Sequence, residues 1–165
     1  MAQEILTPTQ LQTNLDFRDF NGDPLPVVLS ELSDGNHETG IKNFVSPAEI
    51  TFKMSNPRSF DTFDTAIFQY QVEELGGGTK GTITTTLNGL QISGGSFQGS
   101  AGNGDIKEVD ISNLSMHQII NGEFGFIIDV ADSKISEVKI ILTIIGGLVK
   151  LTQGQVELKG GKISI

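Results

Sequence analysis

The last third of the chain alternates apolar and polar residues with almost no interruption. Every second residue is apolar in residues 123–130, with Phe124, Phe126, Ile128 and Val130, and in residues 137–145, with Val138, Ile140, Leu142 and Ile144. Because side chains two apart in a strand share a face, each segment has a single apolar face. Both segments are therefore predicted to be strands that pack one face into a core.

The middle of the chain has the same period. One apolar face is formed by Ala66, Phe68, Tyr70 and Val72. Residues 82–87 are predicted to return as a second strand, with Ile83 and Leu87 inward. Residues 50–54 also alternate, and they are predicted to form a short strand, with one helical turn as the alternative.

Turn residues separate further short strands. We expect strands at residues 90–92, 106–112 and 114–120, and Asn121-Gly122 after the last of them is a strong hairpin signal. Many short strands joined by frequent turns are typical of an antiparallel β-sandwich or a jelly roll. The predicted fold class is therefore all-β, with the sandwich domain in residues 47–165.

The first 46 residues have a different pattern. Thr7 can cap a helix, Pro8 suits the first helical position and Gln10 completes a capping box, so a short helix is predicted over residues 8–15. The rest of this segment has weak periodicity and is long for a loop inside a compact domain. We therefore expect residues 1–46 to form an extended N-terminal arm that docks on a neighbouring subunit.

Charge and composition exclude several classes of function. The chain of 165 residues has a net charge of −9 and no cysteine. An acidic surface repels phosphate groups, so no nucleic acid partner is expected. No apolar run is long enough to span a membrane, so no membrane partner is expected. Without cysteine there is no disulfide, thiolate metal site or cysteine nucleophile.

Three glycines match a nucleotide-binding spacing. Gly76, Gly78 and Gly81 read G-x-G-x-x-G. Such a site needs a helix after the glycines, so that backbone N–H groups meet phosphate. Residues 82–86 are instead typical of a strand. The glycines are therefore interpreted as a hairpin turn between two strands.

Two groups of residues are candidates for a metal site or a catalytic site. His37 and His117 are the two histidines, and neither has a partner at the spacing of a triad or a zinc site, so both are interpreted as surface or structural residues. The second group lies in one polar stretch, and its members are Asp16, Asp19, Asn21 and Asp23. Their spacing departs from the EF-hand loop, so turn and capping chemistry is favoured over calcium.

Paired carboxylates leave one route to catalysis open. Asp61 with Asp64, and Glu73 with Glu74, are close in sequence, and a glycosidase needs two facing acids. The chain has no tryptophan, and Tyr70 is its one tyrosine, so the usual aromatic platform for stacking sugars is missing. Carbohydrate binding through phenylalanine or polar loops stays open.

Residues 122–144 have a pattern that is similar to that of a known class of proteins. This segment has a phenylalanine-rich strand, a short polar turn and then an isoleucine- and valine-rich strand. It resembles a pattern found in β-sandwich structural proteins of tailed bacteriophages, and Asn56-Pro57 and residues 86–94 add to the likeness. The resemblance covers residues 56–145 and implies a virion component, such as a head decoration protein, a tail module or a fibre module.

The missing catalytic patterns and the resemblance together predict a non-enzymatic virion structural protein, namely a capsid decoration or cement protein present in many copies. Its expected partners are copies of itself, in a dimer or trimer, and a major capsid or other virion protein. No catalytic residue, metal ligand or cofactor is predicted. The alternative is a carbohydrate- or cell-surface-binding β-sandwich module of tail-fibre or adhesin type that uses the loops at one end.

Overall fold

A computed structural model describes residues 2–19, 29–58, 62–76, 80–98, 104–145, 149–152 and 155–158. Its strands, numbered β1–β13 along the chain, form two large antiparallel sheets and one small sheet. The predicted all-β antiparallel sandwich is confirmed. In the described part of the chain, no helix has the length and apolar character needed to span a membrane.

The larger sheet has six strands. They are β1 (Ala2–Leu6), β3 (Phe17–Asp19), β4 (Ile41–Asn43), β6 (Phe63–Glu74), β9 (Asp105–Asp110) and β11 (Ser133–Ile144). Strand β11 is central, because it pairs with β6 along one side and with both β4 and β1 along the other. Strands β3 and β9 extend the sheet outward from β4 and β6.

The second sheet has five strands in the order β2-β5-β10-β7-β8. They are β2 (Pro8–Leu15), β5 (Ala48–Met54), β7 (Lys80–Leu87), β8 (Leu90–Gln98) and β10 (Phe124–Ile128). Two further strands, β12 (Val149–Thr152) and β13 (Gln155–Leu158), pair with each other. The described residues also contain a short 3-10 helix, Leu29–Leu32, and one α-helix, α1 (Met116–Asn121).

The core lies between the two large sheets, and alternation predicted it well. All eight residues expected to be buried together are buried: Phe68, Tyr70, Phe124, Phe126, Ile128, Val138, Ile140 and Leu142. One polar contact crosses this core, where the Tyr70 hydroxyl and the Thr85 hydroxyl lie 2.8 Å apart in a hydrogen bond. Burial raises the pKa of Tyr70, so its hydroxyl stays protonated.

The predicted N-terminal helix is wrong, since residues 8–15 form strand β2. The backbone of β2 pairs with β5, and the hydroxyl groups of Thr13 and Thr51 lie 2.7 Å apart across that pair. Long-range pairing satisfies the backbone groups that a helix would have satisfied locally. The capping pattern therefore did not lead to a helix, because the neighbouring strand supplied partners for the backbone groups of residues 8–15.

The predicted arm also differs from the structure. Strands β1 to β4 all lie within the two large sheets, and Leu6, Phe17, Leu32 and Ile41 are buried in the core. The described residues of the first 46 therefore pack on their own sandwich.

Helix α1 replaces the strand that we expected over residues 114–120. The Ser115 hydroxyl accepts a hydrogen bond from the Gln118 backbone N–H, and the Gln118 side chain accepts one from Ser115, which completes a capping box. The helix ends at Asn121, so Asn121-Gly122 is not a hairpin turn. A two-residue hairpin turn is found instead at Asn88-Gly89, which joins β7 to β8 and has positive φ at both residues.

The glycine-rich turn does not join a hairpin either. Strand β6 lies in the larger sheet and β7 in the second, so the connection that includes Gly76 crosses between sheets. Gly78 lies outside the described residues. The chain continues as a strand from Lys80, which agrees with the rejection of a nucleotide site but corrects the hairpin.

Gly125→Ala should reduce the free energy of unfolding by about 1–3 kcal/mol, the usual cost of overpacking. Gly125 lies between Thr51 and Thr86 on the outer face of the second sheet. An added Cβ would lie 2.6 Å from the Ile50 carbonyl oxygen and 2.9 Å from the Thr86 hydroxyl oxygen. Urea denaturation measures the loss. Gly95→Ala, where a Cβ meets open space, is the control and should change stability far less.

Candidate functional site

The structure separates most of the candidate metal-ligating and catalytic residues. His37 is half-buried in the loop after the 3-10 helix, and His117 is exposed on α1. Asp16 and Asp19 lie at and after the β2–β3 turn, while Asn21 and Asp23 lie outside the described residues. Within the described ranges, no three histidine, aspartate or glutamate side chains come together as a metal site.

The carboxylate pairs do not converge. Glu73 and Glu74 are consecutive in β6, so they point to opposite faces of the sheet. The Glu73 carboxylate lies 3.1 Å from the Lys134 ammonium group, and the Glu74 carboxylate accepts a hydrogen bond from the Gly76 N–H. Asp64 is exposed near the start of β6, and Asp61 lies outside the described residues. No glycosidase-like pair forms from the described members.

Strand register brings a different set of residues together on the outer face of the larger sheet. Lys42 of β4 pairs with Arg18 of β3 on one side and with Lys134 of β11 on the other, and Lys134 pairs with Glu73. These four residues form a row across four strands. Because Phe17, Ile41 and Ile135 point into the core, the row faces away from it.

A second row follows at the end of the sheet. The Leu75 N–H donates to the Asp132 carbonyl at 2.7 Å, and the Asp132 N–H donates to the Asn43 carbonyl at 3.0 Å, so the ladder continues beyond the strands. Phe44 follows Asn43 and is 37% exposed. We call the resulting region the Phe44 patch and define it by six residues, of which Lys134 is buried and Glu73 half-buried: Arg18, Lys42, Phe44, Glu73, Asp132 and Lys134.

Cations lie over the exposed aromatic ring. The Arg18 guanidinium carbon is 5.1 Å from the centroid of the Phe44 ring, and the Lys42 ammonium nitrogen is 4.9 Å from it. Contacts of this length are attractive cation–π interactions, worth about 0.5–1 kcal/mol at an exposed site. They hold the ring and the two cationic groups in one arrangement at the surface.

The charges of the patch are unevenly paired. Lys42 lies 3.4 Å from the Asp132 carboxylate, and Lys134 lies 3.1 Å from the Glu73 carboxylate. The Asp132 side chain is half exposed, so it can also accept a hydrogen bond from a ligand. Within the described ranges, no carboxylate lies at ion-pair distance from Arg18.

Side-chain hydrogen bonds hold the loops beneath the patch. The Asn43 side chain accepts a hydrogen bond from the Ser133 N–H at 2.8 Å and donates to the carbonyls of Val130 and Val45 at 2.7 and 3.1 Å. At the start of the β10–β11 loop, Asp129 accepts hydrogen bonds from the hydroxyl and the backbone N–H of Thr82, which lower its pKa. The patch therefore rests on braced backbone.

An open groove lies at the other end of β11. It has a volume of about 650 Å³ and runs along β1 beside residues 55–58. Gln3, Glu4, Asn56 and Arg58 give it polar walls, and the Arg58 N–H donates a hydrogen bond to the Glu4 carboxylate. The described residues that line it include no aromatic side chain. It can hydrogen-bond a polar ligand, but it has no ring to stack on one.

Sequence reasoning missed the Phe44 patch. Its members come from four strands and two connecting segments, and two of these strands, β3 and β4, have only three residues each. Such short strands show no measurable period. The one local signal was the apolar pair Phe44-Val45, which stands shortly before Pro47 in a mostly polar stretch. Both residues are exposed in the structure.

Comparisons with known proteins add one likeness. No family model matches the chain, and no curated protein matches it. The chain is similar to a solved structure, the C-terminal CBM6 of LamC, a marine laminarinase from Zobellia galactanivorans. The identity is 13% and the TM-score 0.48, over 86% of this chain and 99% of that one.

We correct our interpretation of the chain as a capsid decoration or cement protein: the comparisons give it no support, and the likeness that they give is to a carbohydrate-binding module. The docking arm that this role required is also missing from the described residues, because β1 to β4 belong to the sandwich. The resemblance to phage proteins, the virion location and the self-association are not tested and stay predictions.

Proposed function

We propose that this protein is a non-catalytic carbohydrate-binding module and that the Phe44 patch holds the sugar. One observation carries the proposal: an exposed aromatic ring lies beside charged hydrogen-bonding groups on a braced sheet surface. A pyranose ring has an apolar face of C–H groups and a rim of hydroxyl groups. Phe44 suits the apolar face, and the side chains around it suit the rim.

The polar groups of the patch can both donate and accept. Arg18 and Lys42 donate hydrogen bonds to sugar oxygens, and Asp132 accepts hydrogen bonds from sugar hydroxyls. A few convergent polar groups around an apolar surface are the usual composition of a small-ligand site. The groups also come preordered, because ion pairs and ring contacts hold them before a ligand arrives. Preordering lowers the entropic cost of binding.

Phe44→Ala should weaken carbohydrate binding by about tenfold. The loss combines the buried apolar area of the ring with its stacking contribution, on the order of 1–2 kcal/mol. Affinity electrophoresis and calorimetry against a panel of soluble polysaccharides would measure it. The folded state should be retained, because the ring lies on the surface.

Leu90→Ala is the matched control for lost surface apolarity, since Leu90 is 73% exposed at the β7–β8 hairpin. It should bind like the unchanged protein. A second variant, Asn56→Ala, tests the groove beside β1. If Asn56→Ala abolishes binding and Phe44→Ala does not, the groove is the site and the assignment to the Phe44 patch is wrong. If no polysaccharide in the panel binds, the proposed function itself fails.

A further inference from the structure

We infer that Arg18 makes the Phe44 patch selective for acidic carbohydrate, that is, a sugar chain carrying carboxylate or sulfate groups. This inference rests on the proposed function. It begins with the concentration of positive charge: the chain has 11 lysine and arginine residues, and three of them lie side by side in the row of Arg18, Lys42 and Lys134. The net charge of the chain is −9, so this row stands apart from the acidic remainder.

Arg18 differs from its neighbours in the row. Lys42 and Lys134 each have a carboxylate within 3.4 Å, which offsets their charge. Arg18 is exposed on the short strand β3 and has no such partner in the described part of the chain. Its charge is therefore available to a ligand, whereas the charges of the two lysines are already engaged.

The geometry of Arg18 favours an oxyanion over a neutral hydroxyl. A guanidinium group offers a planar fork of donors that matches carboxylate and sulfate oxygens in pairs. Its position 5.1 Å from the Phe44 ring centroid places the charge directly beside the surface proposed for the sugar ring. A sugar stacked on Phe44 would present its acidic substituent within reach of this fork.

The acidity of the rest of the chain does not cancel this attraction. At physiological ionic strength the screening length is about 8 Å, so carboxylates elsewhere on the surface are largely screened. The nearby acids, Glu73 and Asp132, already pair with the two lysines. The six-residue patch carries three positive and two negative charges, which gives a local net charge of +1.

Paired probes test the inference. Polygalacturonate is compared with its methyl ester, and dextran sulfate with dextran, so that each pair differs in charge while the sugar chain is the same. We expect at least one acidic polymer to bind about tenfold more tightly than its neutral partner, the usual effect of one charge-assisted hydrogen-bonding pair. The carboxylate pair and the sulfate pair distinguish the two sources of the oxyanion.

Substitutions then locate the effect. Arg18→Gln should remove the preference, so that the acidic and neutral polymers of each pair bind with affinities within about twofold of each other. Arg18→Lys should restore part of the preference, because it keeps the charge and loses the fork. Arg58→Gln is the matched control, since Arg58 is the other arginine of the chain and lies in the groove at the far end of β11. It should leave the preference unchanged.

The possible results separate the two proposals. Equal binding of acidic and neutral polymers, with no effect of Arg18→Gln, would overturn the inference and leave the carbohydrate-binding function standing. Loss of the preference in Arg58→Gln instead would also overturn it, because the charge would act at the groove. If none of these polymers nor any other polysaccharide binds, the proposed function fails, and the inference fails with it.

Discussion

Replacing Phe126 with alanine should reduce the free energy of unfolding by about 3–5 kcal/mol. Phe126 is fully buried at the centre of β10. Its ring centroid lies 4.6 Å from that of Tyr70 and 5.7 Å from those of Phe52 and Phe68, so it contacts rings of both sheets. Truncation would remove these contacts and leave a cavity that the paired strands cannot close.

Phe44→Ala is the control, because the same atoms are removed from a position that is 37% exposed. Its cost should stay below about 1 kcal/mol, as is usual for surface substitutions. Chemical denaturation of both variants, with the slope of the transition checked for constancy, gives the comparison. Similar losses in the two variants would mean that the aromatic cluster around Phe126 does not form the core.

The core could be predicted because alternation is a direct record of which face is buried. In β6, β10 and β11 three or more alternate positions of each strand are both apolar and buried in the structure. A strand slipped by one residue would turn these side chains to solvent. The sequence therefore determines the inward face strongly wherever the run is long.

Which strands pair with one another was harder to predict, because paired strands are far apart in the sequence. The capping pattern at Thr7-Pro8 is real in sequence, but β5 supplies β2 with hydrogen bonds across about 40 residues. The converse holds at Ser115, where the local capping box does form a helix. What separates the two cases is the presence of a neighbouring strand, and no local pattern reports that.

The same limit applies to sheet membership. Strands β6 and β7 follow one another after a glycine-rich turn, yet they lie in different sheets. Strands β10 and β11 also lie in different sheets, and the loop that joins them includes Asp132. Period and turn residues are alike in a hairpin and in a crossover between sheets. The Phe44 patch depends on this topology, because Asp132 and Lys134 reach it through β11 while Phe44 follows β4.

A second large effect is expected at Asn43, which joins the fold to the patch. Asn43→Ala should reduce the free energy of unfolding by about 2–4 kcal/mol, since it removes three hydrogen bonds, one of them to the buried Ser133 N–H. The other two bonds run to the carbonyls of Val130 and Val45. The Asn43 side chain is fully buried, so water cannot readily replace it.

Asn121→Ala is the matched control for this change. Asn121 is exposed at the end of α1 and donates one hydrogen bond, to the His117 carbonyl, so its loss should cost about 0.5 kcal/mol or less. Asn43→Asp is a sharper variant, because it keeps the acceptor for Ser133 and replaces the donor with an oxygen facing two carbonyls. It should be at least as destabilising as Asn43→Ala, and increasingly so as the pH rises above about 4, because the carboxyl group ionises freely in the unfolded chain, whereas burial beside two carbonyls disfavours its ionised form in the folded one.

Binding measurements show whether the hydrogen bonds of the Asn43 side chain also support carbohydrate binding at the Phe44 patch. Asn43 holds the β10–β11 loop against β4, and Asp132 and Phe44 lie on either side of that junction. At temperatures where Asn43→Ala is still fully folded, its affinity for carbohydrate should fall several-fold, because the ring and the carboxylate would no longer be preordered. Full affinity in the folded variant, with the expected loss of stability, would limit Asn43 to a structural role. Full stability would instead show that these backbone groups find other partners, and that the backbone beneath the patch does not depend on this side chain.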